Sequence, residues 1–131
     1  MNLQVRHAMK GHPFTVPHED SVTEVARLMI TAGIDTVIVT KKDEILGAVT
    51  VNDILRHTFM AGFNPDKTSV ESITDGDIML ARPTTALNDV RTILTESNGY
   101  TLPVVDKELV GYITLKDLLT VKPEQMAQEV R

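Results

Sequence analysis

Apolar residues recur along this chain in two rhythms. Val22, Val25, Ala26 and Met29 fall at i, i+3, i+4 and i+7, which predicts one buried face of a helix over residues 21–32. Ser21-x-x-Glu24 supplies a capping box at its start. Thr36-Val37-Ile38-Val39 has no helical period and is rich in β-branched residues, so it predicts a buried strand. After the charged turn Lys41-Lys42-Asp43-Glu44, a second strand is expected over Ile45 to Thr50 and a second helix over Val51 to Thr58. A short strand, Phe14 to Val16, precedes the first helix, so the order is βαββα.

The same order then returns. Gly47-Ala48-Val49-Thr50-Val51-Asn52-Asp53-Ile54-Leu55 is matched 64 residues later by Gly111-Tyr112-Ile113-Thr114-Leu115-Lys116-Asp117-Leu118-Leu119. Upstream the offset is 65: Val22, Glu24, Val25, Leu28 and Met29 face Leu87, Asp89, Val90, Ile93 and Leu94. The shift of one falls in the charged turns, where an extra loop residue is cheap. The second copy predicts strands at Met79–Ala81, Leu102–Val105 and Leu109–Thr114, with helices at 86–97 and Leu115–Val121. Phe59 to Thr68, with Gly62 and Pro65, reads as the connector, which divides the chain into repeats 1–64 and 65–131. A polar tail follows Pro123. A lone unit of this size would leave a sheet face open. The expected architecture is therefore α+β, an α/β sandwich of two βαββα repeats related by a pseudo-twofold axis and packed sheet to sheet around one shared core.

Composition removes several classes of function. Among 131 residues there is no cysteine, so disulfides, thiolate nucleophiles and cysteine-ligated metals are excluded. The net charge of −5 is spread without a basic stripe: residues 1–64 hold six basic and seven acidic side chains, residues 65–131 seven and eleven. Trp is absent and aromatics are 4%, which argues against nucleic acid on both charge and stacking grounds. No apolar run approaches the roughly 18 residues of a membrane span, and the N-terminus lacks the apolar centre of a secretory signal, so no membrane insertion and a cytoplasmic location are expected. His7, His12 and His18 are separated by Pro13 and Pro17 at spacings that do not suit zinc. No nucleophile elbow, P-loop or spaced His–carboxylate pattern appears, so no catalytic residue is assigned and the chain is not expected to be an enzyme.

The repeated Gly-h-h-Thr-x-x-Asp (h apolar) ends a strand and opens a helix, and it supports two readings. Thr50 and Thr114 suit an N-cap, with Asp53 and Asp117 acidic residues in the first turn. Asp is one methylene shorter than the Glu or Gln that closes the usual capping box. The same geometry also suits a nucleotide: the helix start and the Thr hydroxyl meet a phosphate, and the Asp carboxylate accepts from a ribose diol.

Two βαββα units, each ending Gly-h-h-Thr-x-x-Asp, with Leu102-Pro103-Val104-Val105-Asp106 in the second, resemble a tandem pair of CBS domains (named after cystathionine β-synthase), a Bateman module. The resemblance spans roughly residues 5–121. It implies a stand-alone regulatory, energy-sensing module that binds AMP, ADP, ATP, S-adenosylmethionine or a related adenosyl ligand in clefts between the repeats. Such a module needs no cofactor, signals to a partner protein and commonly forms a homodimer. The chain ends soon after the second repeat, so the regulated partner is expected to be a separate molecule. Carried over by position, one cleft uses Thr114 and Asp117 with a base-binding wall of Pro13, Phe14, Ile34 and Asp35. The other uses Thr50 and Asp53 with Ile78, Met79, Gly99 and Tyr100.

One departure bears on the ligand. The basic residue that some relatives place just before the buried strand is replaced here by Thr36 and Thr101, with Asp35 beside the first. Arg56 and His57, three and four residues after Asp53, are the candidate phosphate contacts. Lys10, His12, Arg82, Lys116 and Lys122 are further cations. The competing function is an interaction scaffold, with the clefts vestigial and the motif residues acting only as caps. Dimerisation is expected through the second helices, from Ile54, Leu55, Leu118 and Leu119, although some of these must fill the core. A sensor predicts that Asp117→Ala weakens ribonucleotide binding while leaving the fold nearly intact.

Overall fold

A computed structural model describes residues 3–96 and 101–120. The chain forms two compact units that cut across the linear division at 64/65. One runs from Phe14 to Ile78; the other joins the residues up to Pro13 to those from Met79 onward. We refer to them as the middle and outer units.

In the middle unit, β1 (Thr15–Pro17) pairs in parallel with β2 (Thr36–Lys41), which pairs antiparallel with β3 (Glu44–Thr50). Between β1 and β2 lies α1 (Val22–Ala32). The Ser21 hydroxyl oxygen accepts from the Glu24 N–H and so starts this helix, and Gly33 ends it in the left-handed region at φ 67°. Val22, Val25 and Met29 are buried, as the apolar spacing requires. They join Val16, Val37, Val39, Val49, Val70 and Ile73 in one cluster. Next come α2 (Val51–Leu55) and a π-helical turn, Arg56–Met60, which together take the place of the helix expected over Val51 to Thr58.

The outer unit repeats this plan with α3 (Leu87–Glu96), β4 (Thr101–Asp106), β5 (Glu108–Thr114) and α4 (Leu115–Leu119). β4 and β5 are antiparallel and carry the same sequence of buried and exposed positions as β2 and β3. Its buried cluster is Val5, Ala81, Leu87, Val90, Leu94, Leu102, Val104, Ile113 and Leu118. Each unit thus gathers a buried apolar cluster of its own. The shift in repeat offset lies where the charged turns placed it. Lys42 and Asp43 both have positive φ in the first hairpin, whereas Lys107 alone turns the second.

The strand expected at Met79–Ala81 is only a bridge between Ala81 and Val104. In the middle unit Ile38 N donates to Phe14 O at 3.0 Å. The residue 65 positions after Ile38 is Pro103, which has no N–H, so the matching bond to Met79 cannot form. The ends expected for the helices at 97 and 121, and the polar tail, lie outside the described residues.

Two elements had no signal in the apolar pattern. These are 3₁₀ turns at Val5–His7 and Val70–Ile73, whose Val5 and Val70 are fully buried. The segment after each turn closes a unit. Lys10 and Tyr112 exchange both backbone hydrogen bonds at 2.9 Å, and Ala48 and Asp75 do the same at 3.1 Å. The leading segment of each sequence repeat therefore completes the hairpin of the other repeat, which is why the compact units do not divide at 64/65. Gly47 and Gly111, each next to the extra residue (Leu46, Val110) that bulges β3 and β5, leave room for these crossings.

Candidate functional site

The two Thr-x-x-Asp motifs fold into the same local device. Thr50 is the N-cap of α2: Asp53 N donates to Thr50 Oγ1 at 3.1 Å, and Thr50 N donates to Asp53 Oδ2 at 2.9 Å. At α4 the corresponding distances are 3.2 Å and 2.8 Å, and the Thr114 hydroxyl also donates to Asp117 Oδ2 at 2.9 Å. The shorter Asp side chain therefore does close a full capping box in both units. In each carboxylate the Oδ2 oxygen serves the cap, and Oδ1 faces a cation.

Those cations come from different places. Arg56, one turn along from Asp53, brings Nη1 to 3.6 Å from Asp53 Oδ1, with its side chain 61% exposed. Lys10, from the segment that closes the outer unit, places Nζ 3.3 Å from Asp117 Oδ1. Asp117 is the one buried charged residue among those described, at 6% exposure. Burial of a carboxylate is tolerated here because hydrogen bonds and an ammonium meet both of its oxygens. Lys10 was one cation among several in the sequence; only the crossing segment brings it to Asp117.

The remaining candidates are placed separately within their units. In the middle unit Phe14 is 39% exposed and its carbonyl accepts from Ile38. Ile34 packs against the buried cluster. Asp35 is exposed; its carbonyl accepts from Val51 N at 2.9 Å, and its carboxylate from the Thr36 hydroxyl at 3.1 Å. Ile78 is half-buried. Pro13 is a half-buried residue of the outer unit, and Met79 there is 54% exposed. Gly99, Tyr100 and Lys122 lie outside the described residues. Arg56 reaches Asp53 as the helical spacing requires, whereas His57 stacks on Phe63 with ring centroids 5.6 Å apart. The π turn re-aims the chain just after Arg56, which the simple one-turn spacing does not anticipate. Of the residues expected at the second helices, Leu55 and Leu119 are exposed (46% and 78%), Leu118 is buried, and Ile54 packs against the core.

The histidines do separate work. His7 Nδ1 accepts from Gln4 N at 2.9 Å. His18 Nδ1 lies 2.9 Å from Glu71 Oε2, while Lys41 Nζ lies 3.2 Å from Glu71 Oε1. The His18 hydrogen bond first, then that from Lys41, hold the Glu71 carboxyl below its ordinary value. A carboxyl with a depressed folded-state pKa contributes stability above its unfolded pKa and loses it as pH falls through the folded value. The melting temperature of the parent chain should therefore exceed that of Glu71→Gln near neutral pH, and the gap should narrow as pH falls below the ordinary carboxyl value of 4.5. A gap that stays constant as pH falls would mean the triad adds nothing.

Beside the Asp53 motif, Asn52, Leu55, Arg56, Phe59 and Met60 line an open groove of about 470 Å³. Phe59 and Met60 are about four-fifths exposed, so the apolar pattern alone had no reason to single them out.

A family model described as CBS domain matches the chain twice, over residues 5–59 and 70–124. Among curated proteins, the uncharacterized protein MJ0450 of Methanocaldococcus jannaschii is 30% identical over 116 residues, covering 86% of this chain and 62% of that one. MK0525 of Methanopyrus kandleri is 29% identical over 111 residues, covering 82% of this chain and 57% of that one, so the chain spans about three-fifths of these relatives. The CBS domain-containing protein YhcV of Bacillus subtilis is 26% identical, with 95% and 87% covered. Of solved structures, the CBS domain protein NE2398 superposes with a TM-score of 0.85 at 21% identity, with 91% and 96% covered. The CBS domain pair of protein MJ0100, in complex with 5′-methylthioadenosine and S-adenosyl-L-methionine, gives 0.79 at 22% identity, with 91% and 94% covered. No helix among the described residues is long and apolar enough to cross a membrane.

Proposed function

The chain belongs to the CBS-domain family and carries two copies of the domain, and from this we propose that it is a regulatory module that binds an adenosine-containing small molecule and passes its occupancy to a partner protein. The observation that carries the reading is the twofold recurrence of Thr-x-x-Asp with one carboxylate oxygen committed to the cap and the other turned to a cation. The ligand class draws support from the pair of protein MJ0100, which is described with two adenosyl compounds. In this reading the Thr50 hydroxyl donates to a phosphate or ribose oxygen, the Thr114 hydroxyl does so by turning its proton away from Asp117 Oδ2, and Asp53 and Asp117 accept from the ribose diol through Oδ1. Pro13, Phe14, Ile34, Asp35, Ile78, Met79, Gly99 and Tyr100 hold the base. The module has no chemistry of its own. Occupancy acts only through a difference in affinity between two states of the protein.

A homodimer is part of the proposal, supported by the exposed Leu55 and Leu119. The same exposure, with the groove at Phe59 and Met60, is what favours the alternative of a scaffold without a ligand.

Thermal melts with AMP, ATP and S-adenosylmethionine separate the two. A ligand at about 100 times its dissociation constant adds roughly 2.7 kcal/mol, which raises the melting temperature by several degrees. The sensor predicts a rise with at least one ribose compound and a smaller rise with its 2′-deoxy analogue. A melting temperature indifferent to all three leaves the scaffold.

A further inference from the structure

We propose that Lys10 sets the charge preference of the Thr114–Asp117 site, so that an adenosine ligand bearing a phosphate is taken there ahead of the uncharged nucleoside; this rests on the reading of Asp117 as the ribose acceptor. Asp117 Oδ2 already accepts from the Thr114 N–H and hydroxyl, and Oδ1 is held by the Lys10 ammonium at 3.3 Å. A ribose hydroxyl that donates to Oδ1 must share that oxygen with the ammonium or displace it. The Lys10 backbone cannot withdraw, because its N–H and C=O are both bonded to Tyr112. Its side chain, by contrast, is 55% exposed on a flexible stem with three donors. A displaced ammonium therefore stays beside the ligand. An anionic group on that ligand compensates it, and a neutral nucleoside does not.

The duplication supplies an internal control. Sixty-five residues after Lys10, the position that exchanges the matching backbone bonds is Asp75, whose carboxylate accepts from Asp77 N. Asp53 Oδ1 instead faces Arg56, from its own helical stretch. The position 64 residues after Arg56 is Thr120, so the outer unit carries no cation at the corresponding place. The sites thus draw their positive charge from different residues, and only the outer one draws it from the segment that closes the unit.

Calorimetric titration of the full chain with AMP and with adenosine tests this. The parent chain should prefer AMP by about tenfold, the scale of one charge-assisted hydrogen bond. In Lys10→Met the AMP preference at the affected site should fall to within about threefold, with adenosine binding tighter than in the parent. Lys10→Arg keeps the charge and should keep the preference, so loss in both variants together with a large drop in melting temperature identifies a merely structural role and overturns the proposal. An AMP preference that survives Lys10→Met but vanishes in Arg56→Met overturns it while leaving the ligand reading intact. Failure of the parent chain to bind either compound removes both.

Discussion

Gly47→Ala should unfold the chain at temperatures where the parent is stable, with a loss of roughly 3 kcal/mol or more. A Cβ at this position would lie 2.2 Å from the Asp75 carbonyl oxygen and 2.6 Å from Thr74 Cγ2. Neither neighbour can step aside cheaply. Asp75 exchanges both backbone hydrogen bonds with Ala48 at 3.1 Å, and Thr74 follows the 3₁₀ turn that buries Val70. Relief of the clash therefore means lifting the segment that closes the middle unit, with loss of two backbone bonds worth about 1 kcal/mol each on top of the steric strain. Gly111→Ala should behave alike but more mildly, since its Cβ would meet the Lys10 carbonyl oxygen at 2.5 Å and the flexible Met9 sulfur at 3.3 Å. Gly11→Ala is the control, with nothing within 4 Å of its Cβ. Urea unfolding of the three variants checks the order. A Gly47→Ala midpoint close to that of Gly11→Ala would mean that the crossing at Asp75 is absent in solution.

Asp117→Ala carries the second large effect, and it acts on stability as well as on binding. The substitution removes the acceptor of the Thr114 N–H and hydroxyl and leaves Lys10 without its partner. Loss of a cap costs about 1 kcal/mol and a hydrogen bond to a charged group about 1.5–3 kcal/mol, so a net loss of roughly 2 kcal/mol is expected. The fold is still expected to stay nearly intact, but at lower stability: the residue is 6% exposed and one of its oxygens is bonded within the cap. Asp53→Ala should cost less, because that carboxylate is more open and its outer oxygen faces an exposed arginine at 3.6 Å. Asp117→Asn retains an acceptor for the cap but not the charge, so it should recover part of the stability without restoring ribonucleotide binding. Thermal melts paired with calorimetry separate the two roles. If Asp117→Asn bound AMP as the parent does, the carboxylate would be a cap and nothing more.

Much of the architecture follows from neighbours in the chain. The face of α1, its Ser21 cap and Gly33 stop, the paired hairpins, and the one-residue shift between Lys42-Asp43 and Lys107 depend on residues within about one helical turn or one hairpin of each other. Even Pro103, which reduces the strand at Met79–Ala81 to a bridge, acts through a missing N–H that the sequence displays. The two capping boxes belong here too, since a Thr and an Asp three residues apart meet whatever surrounds them.

What tertiary structure decided is which distant segment closes which hairpin. Lys10 and Asp75 occupy matching positions in the repeat, yet each completes the hairpin of the other repeat, and no local rule distinguishes that crossing from closure within one repeat. The choice rests on backbone hydrogen bonds and on burial of Val5 and Val70, between residues some 30 to 100 positions apart. Lys10 comes to Asp117 only through that crossing. The chain by itself determined two βαββα repeats and two Thr-x-x-Asp caps. Long-range packing decided how the units close and which cation faces each carboxylate, because those energies belong to pairs of segments that periodicity and spacing do not relate.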